Sequence, residues 1–287
     1  MNQIATMILD SSNAVLVLML VSLGLAIIFG LMNVINMAHG EFLMLGCYAV
    51  MELSTRGLPF FLALALAPLV VAMIGLIAEE LVISRTYHRL IDTILATWGL
   101  ALVLRQSMIL IYGPGSYAVA PPEVGFVTVF GGQYPVYRLI VMGISIVTIA
   151  ATFAFFFATR WGLAARAVLI NRNMAACLGI NTRLLDRVTF AFGAGLAGLA
   201  GAAMAPLISI DPNAGLGWVV PAFLSILVGG LGSISGPLVG AAGVGGIDSL
   251  TAAVSSPVWA QFVVFTAAIL VIRVFPNGLV SNRRREA

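Results

Sequence analysis

The sequence predicts an all-α, polytopic bundle of transmembrane helices. The chain has 287 residues, of which 61% are hydrophobic and only 9% are charged, whereas a soluble domain carries about a quarter charged residues. Several uncharged stretches, among them 11–32, 139–159 and 249–272, reach the roughly 20 residues that a spanning helix needs. A soluble fold could not bury this much apolar surface, so lipid is the expected solvent.

About eight or nine hydrophobic segments set the expected order of elements. We predict helices near 12–32, 41–54, 59–83, 93–112, 137–158, 188–208, 217–231, 237–255 and 257–275. Residues 1–287 form one transmembrane domain, with candidate halves 12–112 and 137–275. Each half contains a broken hydrophobic element, at 33–41 and at 229–237, a pattern typical of transporters with an internal repeat.

Arginine supplies every basic residue and predicts the orientation. Most of the arginines lie in 85–89, 160–187 and 273–285, and positively charged loops face the cytoplasm. The N-terminus is therefore expected outside, the C-terminus in the cytoplasm and residues 113–136 outside. Cys47 and Cys177 are expected at different depths, so we predict no disulfide.

A polar segment interrupts the first hydrophobic region. It contains Asn33, Asn36, His39 and Glu41, whose side chains are costly at membrane depth. Non-helical backbone is tolerated there only against protein or water, which makes the segment a candidate lining of a translocation path. The alternative is a cytoplasmic turn in which Asn36 and Glu41 cap the next helix. A metal site at His39 and Glu41 is not expected, because no further ligands recur nearby.

The second break supplies the remaining path candidates. No Lys follows its glycines, so it is not a phosphate-binding loop, and we expect the glycines to permit a broken helix. Asp248 is a lone acid among uncharged residues and could line the path or pair with Arg105. These candidates are Gly229, Gly230, Gly232, Ser233 and Asp248.

Residues 159–187 form a long loop that is rich in arginine. We predict two short helices in it, with Gly179 as the C-terminal cap of the second. A short amphipathic helix could lie in a groove on a partner protein. The alternative is a solvated loop whose arginines fix the topology or contact anionic lipid. The candidate partner contacts are Arg166, Arg172, Met174, Ala175, Ala176, Leu178 and Gly179.

Several stretches carry a resemblance to a known family. They are residues 24–32 followed by 36–41, then 95–99, 179–182, 229–233 and 276–279. In order and spacing they resemble the membrane permease subunits of ATP-driven importers for branched-chain amino acids, urea and short amides. The resemblance runs over nearly the whole chain and implies a multi-pass protein of a bacterial inner membrane.

The resemblance also implies partners. These are a homologous second permease, two ATPase subunits and a periplasmic binding protein, besides membrane lipid; nucleic acid is not expected. The chain contains no Walker motif, so it is not expected to be an enzyme or to hold a cofactor, and ATP and Mg²⁺ would bind the ATPase subunits. The loop 159–187 matches the place at which this family couples to its ATPase.

The stretches 93–99 and 171–181 look most like the urea and short-amide branch of the family. We therefore expect urea or a short amide as cargo, with branched-chain amino acids as the alternative. A stand-alone secondary transporter or channel is a remoter alternative. Its only support is the presence of two acids in the membrane region, Glu41 and Asp248. An intramembrane enzyme would need a nucleophile–base or metal cluster, and the chain has only His39 and His88 as histidines.

Overall fold

The computed structural model describes residues 2–86, 89–129, 132–230 and 233–280. Its elements are α1 (Asn2–Met32), α2 (His39–Thr55), α3 (Phe60–Leu81), α4 (Leu90–Tyr112), β1 (Phe126–Val129), β2 (Gly132–Pro135), α5 (Val136–Ala158), α6 (Arg160–Ile170), α7 (Arg172–Cys177), α8 (Thr182–Met204), α9 (Leu216–Gly229), α10 (Gly236–Val254) and α11 (Pro257–Val274). Seven of the helices in the described part are long and apolar enough to span a membrane: α1, α3, α4, α5, α8, α10 and α11.

The predicted helical bundle is confirmed, and each predicted hydrophobic segment corresponds to a helix. The boundaries differ most at α1, which begins at Asn2 rather than near residue 12. The segment 113–136 contains a short antiparallel hairpin that the sequence analysis did not predict. The strands are only four residues long, which leaves little periodicity from which to predict them.

Helix α8 lies at the centre of the bundle and packs against α1, α2 and α3. Its small residues allow close approach: a Cβ at Gly201 would overlap the Leu43 carbonyl, and one at Gly198 would lie 2.6 Å from Val71 Cβ. Across the same interface a Cβ at Gly46 would overlap the Gly198 carbonyl. These glycines let the backbones of α8 and its neighbours approach closely, as small residues do between helices in lipid.

The two ends of the bundle differ. At one end, which we call the hairpin end (β1, β2 and residues 113–125), Tyr134 donates a hydrogen bond to Asp10 Oδ1 at 3.0 Å, and Arg138 pairs with the same carboxylate. Burial raises the pKa of Tyr134 to about 12, so its phenol stays protonated and donates. The opposite end, the loop end, carries α6 and α7; there a Cβ at Gly30 of α1 would contact Leu169 of α6 at 3.8 Å.

The first predicted break is a re-entrant segment. Helix α1 stops at Asn33, which adopts φ +53° and donates its N–H to the Phe29 carbonyl at 2.8 Å, an arrangement typical of a helix C-cap. The chain then turns back into the bundle, because His39 Nε2 lies 3.0 Å from the Val21 carbonyl. Val21 precedes Met32 by about three turns, or roughly 16 Å along α1. Helix α2 therefore begins inside the bundle.

A second re-entrant segment follows α8. Ile210 pairs with Tyr117 at the hairpin end, with both N···O distances at 2.8 Å. The chain then enters the bundle, and a Cβ at Gly215 would overlap the Gly40 carbonyl. The start of α9 therefore meets the start of α2 inside the protein.

The sequence predicts the second broken element at 229–237, and the structure has a helix break there, between α9 (Leu216–Gly229) and α10 (Gly236–Val254). Gly229 ends α9, and its carbonyl accepts from the Val280 N–H at 2.9 Å. A Cβ at Gly229 would overlap the Gly236 carbonyl, so the end of α9 lies against the start of α10. Helix α9 separates this contact from Gly215 by about 21 Å. The segment that meets 33–41 is thus 205–215, and an internal repeat stays a prediction.

Candidate functional site

Polar side chains gather at the start of α2 and are almost completely buried. Asn36 and His39 are 0% exposed and Glu41 is 2% exposed. Asn36 Oδ1 accepts the Ala38 N–H at 3.1 Å, as the alternative of a capped turn predicted. The turn lies inside the bundle and not at its surface, however, and the Asn36 amide nitrogen has no partner among the described residues.

His39 and Glu41 each have one polar atom with a partner and one without a partner among the described residues. The Val21 carbonyl can only accept, so His39 Nε2 donates to it and Nδ1 is left without a partner in the described part of the chain. Glu41 Oε1 pairs with Arg105 of α4, while Glu41 Oε2 has no such contact. Buried polar atoms normally have a hydrogen-bond partner, so these atoms are available to bind water or a polar ligand.

The pairing of Arg105 corrects one expectation. The sequence left open a pair between Arg105 and Asp248, but Arg105 pairs with Glu41. Asp248 lies on α10 with its side chain partly exposed and forms no ion pair within the described ranges. Linear separation could not show this, since Glu41 and Arg105 are 64 residues apart.

Helix α4 contacts residues 35–52 through three layers of polar contacts. Thr97 Oγ1 lies 3.1 Å from the Ile35 carbonyl and 3.2 Å from the Met37 N–H. Arg105 pairs with Glu41 one layer further on, and the Tyr112 hydroxyl donates to Glu52 at 3.1 Å. We call this the α2–α4 seam: Ile35, Met37, Glu41 and Glu52 facing Thr97, Arg105 and Tyr112.

The seam is a polar line in an apolar bundle. The three α4 residues are spaced eight and seven positions apart, which places them on one face of the helix. The opposite face exposes large apolar side chains such as Leu95, Leu102 and Leu110. The sequence analysis missed Thr97 and Tyr112; their shared helical spacing with Arg105 was the signal that could have found them.

The remaining path candidates lie elsewhere. Gly230 adopts φ +108°, and a Cβ there would lie 2.9 Å from the Asn277 carbonyl. Ser233 Oγ accepts the Gly236 N–H at 2.8 Å and so caps α10. Gly232 lies outside the described residues. The structure does not bring Gly229, Gly230 or Ser233 to the α2–α4 seam.

The predicted coupling loop forms two capped helices. Thr159 Oγ1 accepts the Gly162 N–H at 3.1 Å, and Asn171 Oδ1 accepts the Met174 N–H at 3.0 Å. Gly179 adopts φ +86° just after α7, which confirms the predicted helix end. Three apolar side chains spaced four residues apart remain exposed: Ile170, Met174 and Leu178, at 71%, 59% and 75%.

Not every coupling candidate faces outward. Arg172 forms a two-point ion pair with Asp186 of α8, with Nη1 to Oδ1 at 3.1 Å, and Ala175 is only 2% exposed. These two residues hold α7 on α8. The Arg166 guanidinium lies 5.0 Å from the centre of the Phe157 ring. Ala176, by contrast, is exposed.

Comparison with known proteins identifies the family. Residues 7–273 match the model of the branched-chain amino acid transport system permease component. The high-affinity branched-chain amino acid transport system permease proteins LivH of Escherichia coli K12 and BraD of Pseudomonas aeruginosa are each 28% identical to the chain, over 92% of this chain and 91% of theirs. The probable branched-chain amino acid transport permease protein LivH of Methanocaldococcus jannaschii is 26% identical over 92% and 86%.

No solved structure matches the chain. The family match covers all the long helices except the ends of the first and last, and it includes both re-entrant segments and the α2–α4 seam. Together with seven apolar helices that can span a membrane, it describes a multi-pass transport protein. The chain belongs to the family of branched-chain amino acid transport system permease components.

Proposed function

We propose that this chain is the permease subunit of an ATP-driven importer that carries branched-chain amino acids into a bacterial cytoplasm. The relatives described above are named for branched-chain amino acids, and none of them is named for urea or an amide. The expected urea or short-amide cargo therefore gains no support, and the alternative takes its place.

One structural observation carries the transport proposal: Glu41 Oε2 and Arg105 Nε, which have no hydrogen-bond partner among the described residues, are buried in the α2–α4 seam. Such groups are costly on a face that contacts lipid, and in membrane proteins these groups mark the routes of polar solutes. The seam begins where two re-entrant segments meet, at Gly40 and Gly215. Non-helical backbone at that depth is expected where it borders a pathway or is covered by protein.

The proposed complex contains a second homologous permease, two ATPase subunits and a periplasmic binding protein. No Walker motif is present in this chain, so another subunit must hydrolyse ATP. The loop end would face the cytoplasm, because the arginines of α6, α7 and the start of α8 lie there. We assign the exposed stripe Ile170, Met174 and Leu178 to ATPase docking, with Arg172 and Ala175 holding α7 in place behind it.

Uptake into proteoliposomes tests the proposal. The permease would be co-expressed with the permease, ATPase and binding-protein genes encoded beside it, purified as one complex and reconstituted. We expect ATP-dependent uptake of radiolabelled leucine, isoleucine or valine and no ATP-dependent uptake of urea. Uptake of urea without uptake of these amino acids would overturn the cargo, and uptake without ATP would overturn the ATP-driven mechanism.

A further inference from the structure

The Glu41–Arg105 pair joins α2 to α4 in the middle layer of the α2–α4 seam. We propose that this pair binds the two charged ends of a zwitterionic amino acid during its passage. Arg105 would receive the α-carboxylate and Glu41 the α-ammonium. The inference rests on the proposed function and adds to it a site and a reason for cargo selectivity.

Both partners have unused binding capacity. The pair uses an Nη nitrogen of Arg105 and Oε1 of Glu41, whereas Arg105 Nε and Glu41 Oε2 are buried without a partner in the described part of the chain. A guanidinium carries five N–H donors in a plane and can serve two carboxylates at once. The second carboxylate oxygen of Glu41 can accept from an ammonium.

The surroundings favour a ligand that is neutral overall. Glu41 and Arg105 cancel in charge, so a free amine or a free acid would add an uncompensated charge at membrane depth. A zwitterion adds opposite charges to opposite partners and leaves the site neutral.

The pair can be reached from one side. The Glu41 side chain is 3% exposed but that of Arg105 is 20% exposed, so the arginine reaches the open side of the seam. Only 11% of the apolar stretch of α4 is buried, and the seam contacts are made mainly by polar side chains. Such contacts can exchange for contacts with a polar ligand without disturbing a packed apolar core.

An aromatic cluster closes the seam toward the hairpin end. The Tyr48 and Tyr112 rings lie 5.0 Å apart, and Tyr117 lies 6.4 Å from Tyr48 and 6.3 Å from Tyr112. Tyr117 also belongs to the bridge with Ile210 that precedes the second re-entrant segment. A ligand entering from the hairpin end must pass this cluster before it reaches Arg105.

Photoaffinity labelling of the whole reconstituted complex tests the site. The probe is photoleucine, a leucine analogue with a diazirine in its side chain. We expect labelled peptides from α2 or α4, and we expect excess leucine to suppress the labelling. Leucinamide, which lacks the carboxylate, and 4-methylpentanoate, which lacks the amine, should suppress it far less. Labelling confined to other helices, or equal suppression by all three compounds, would overturn the inference.

Paired variants separate binding from structure. Arg105→Gln and Glu41→Gln should each lower leucine uptake about tenfold or more, since each removes a charge-assisted hydrogen bond to the ligand. The double variant E41Q/R105Q keeps two amides that can bond to each other. If the pair is purely structural, the double variant should recover leucine uptake. If the pair binds the ligand, uptake should stay low.

The matched control is the Asp10–Arg138 pair at the hairpin end, outside the seam. D10N/R138Q should leave leucine uptake and photolabelling unchanged. If the wild-type complex transports leucine but E41Q/R105Q does so equally well, the inference fails and the proposed function stands. If the wild-type complex does not transport leucine, the proposed function fails and the inference fails with it.

Discussion

The meeting point of the two re-entrant segments allows a sharp test with one methyl group. A Cβ at Gly215 would overlap the Gly40 carbonyl, whereas a Cβ at Gly217, two residues further on, has no heavy atom within 4 Å. Gly215→Ala and Gly217→Ala therefore add the same group at neighbouring positions in opposite surroundings. Only the first should force the starts of α2 and α9 apart.

The expected magnitude follows from what each methyl group meets. Overpacking costs about 1–3 kcal/mol, and Gly215 faces main chain, which cannot rotate away as a side chain can. In Gly217→Ala the methyl group is free, and alanine improves helix propensity by up to about 1 kcal/mol. We therefore expect the two variants to differ by about 2 kcal/mol or more, with Gly215→Ala the less stable.

Thermal unfolding of the purified complex, followed by size-exclusion chromatography of heated samples, measures this difference. Gly215→Ala should lose its monodisperse peak at a lower temperature than the wild type, and Gly217→Ala should not. Leucine uptake should fall in parallel for Gly215→Ala, because the displaced segments lead into the α2–α4 seam. Equal stability and equal uptake for both variants would refute the contact between Gly215 and Gly40.

Three further predictions concern topology, coupling and the path. In a Cys177→Ser background, single cysteines at Ser116 and Asn173 should react with an impermeant thiol reagent from opposite sides of the membrane; reaction from one side would overturn the orientation. Ala176→Glu places a charge on the exposed surface of α7, so it should release the ATPase or abolish its stimulation while the permease still inserts; normal transport would count against docking there. Asn36→Leu removes both the cap on Ala38 and a buried amide, so leucine uptake should drop about tenfold or more in a complex that still assembles, and unchanged uptake would move the path away from residues 33–41.

Local chemistry made much of this protein predictable. An apolar composition with arginine in a few loops implies membrane helices and their order, since helices and closed β-barrels satisfy the backbone in lipid and apolar stretches of about 20 residues indicate helices. Asn33 and Gly179 were also readable as interruptions, because both can adopt the left-handed conformation that ends a helix. Asn36, His39 and Glu41 stood out as polar groups within an apolar region, and the structure confirms that all three are buried.

Tertiary packing decided what these residues do. The segment 205–215, with two prolines and one glycine, and the glycine-rich segment 229–237 both contain residues that break helices. Only the contact of Gly215 with Gly40 shows which of them meets the first re-entrant segment. Likewise, the sequence offers both Glu41 and Asp248 as acidic partners for Arg105. Arg105 pairs with Glu41 because of how α4 lies against α2. Local sequence determines which backbone and side-chain chemistry a segment offers, but a contact between residues far apart in the chain depends on how all the helices pack together.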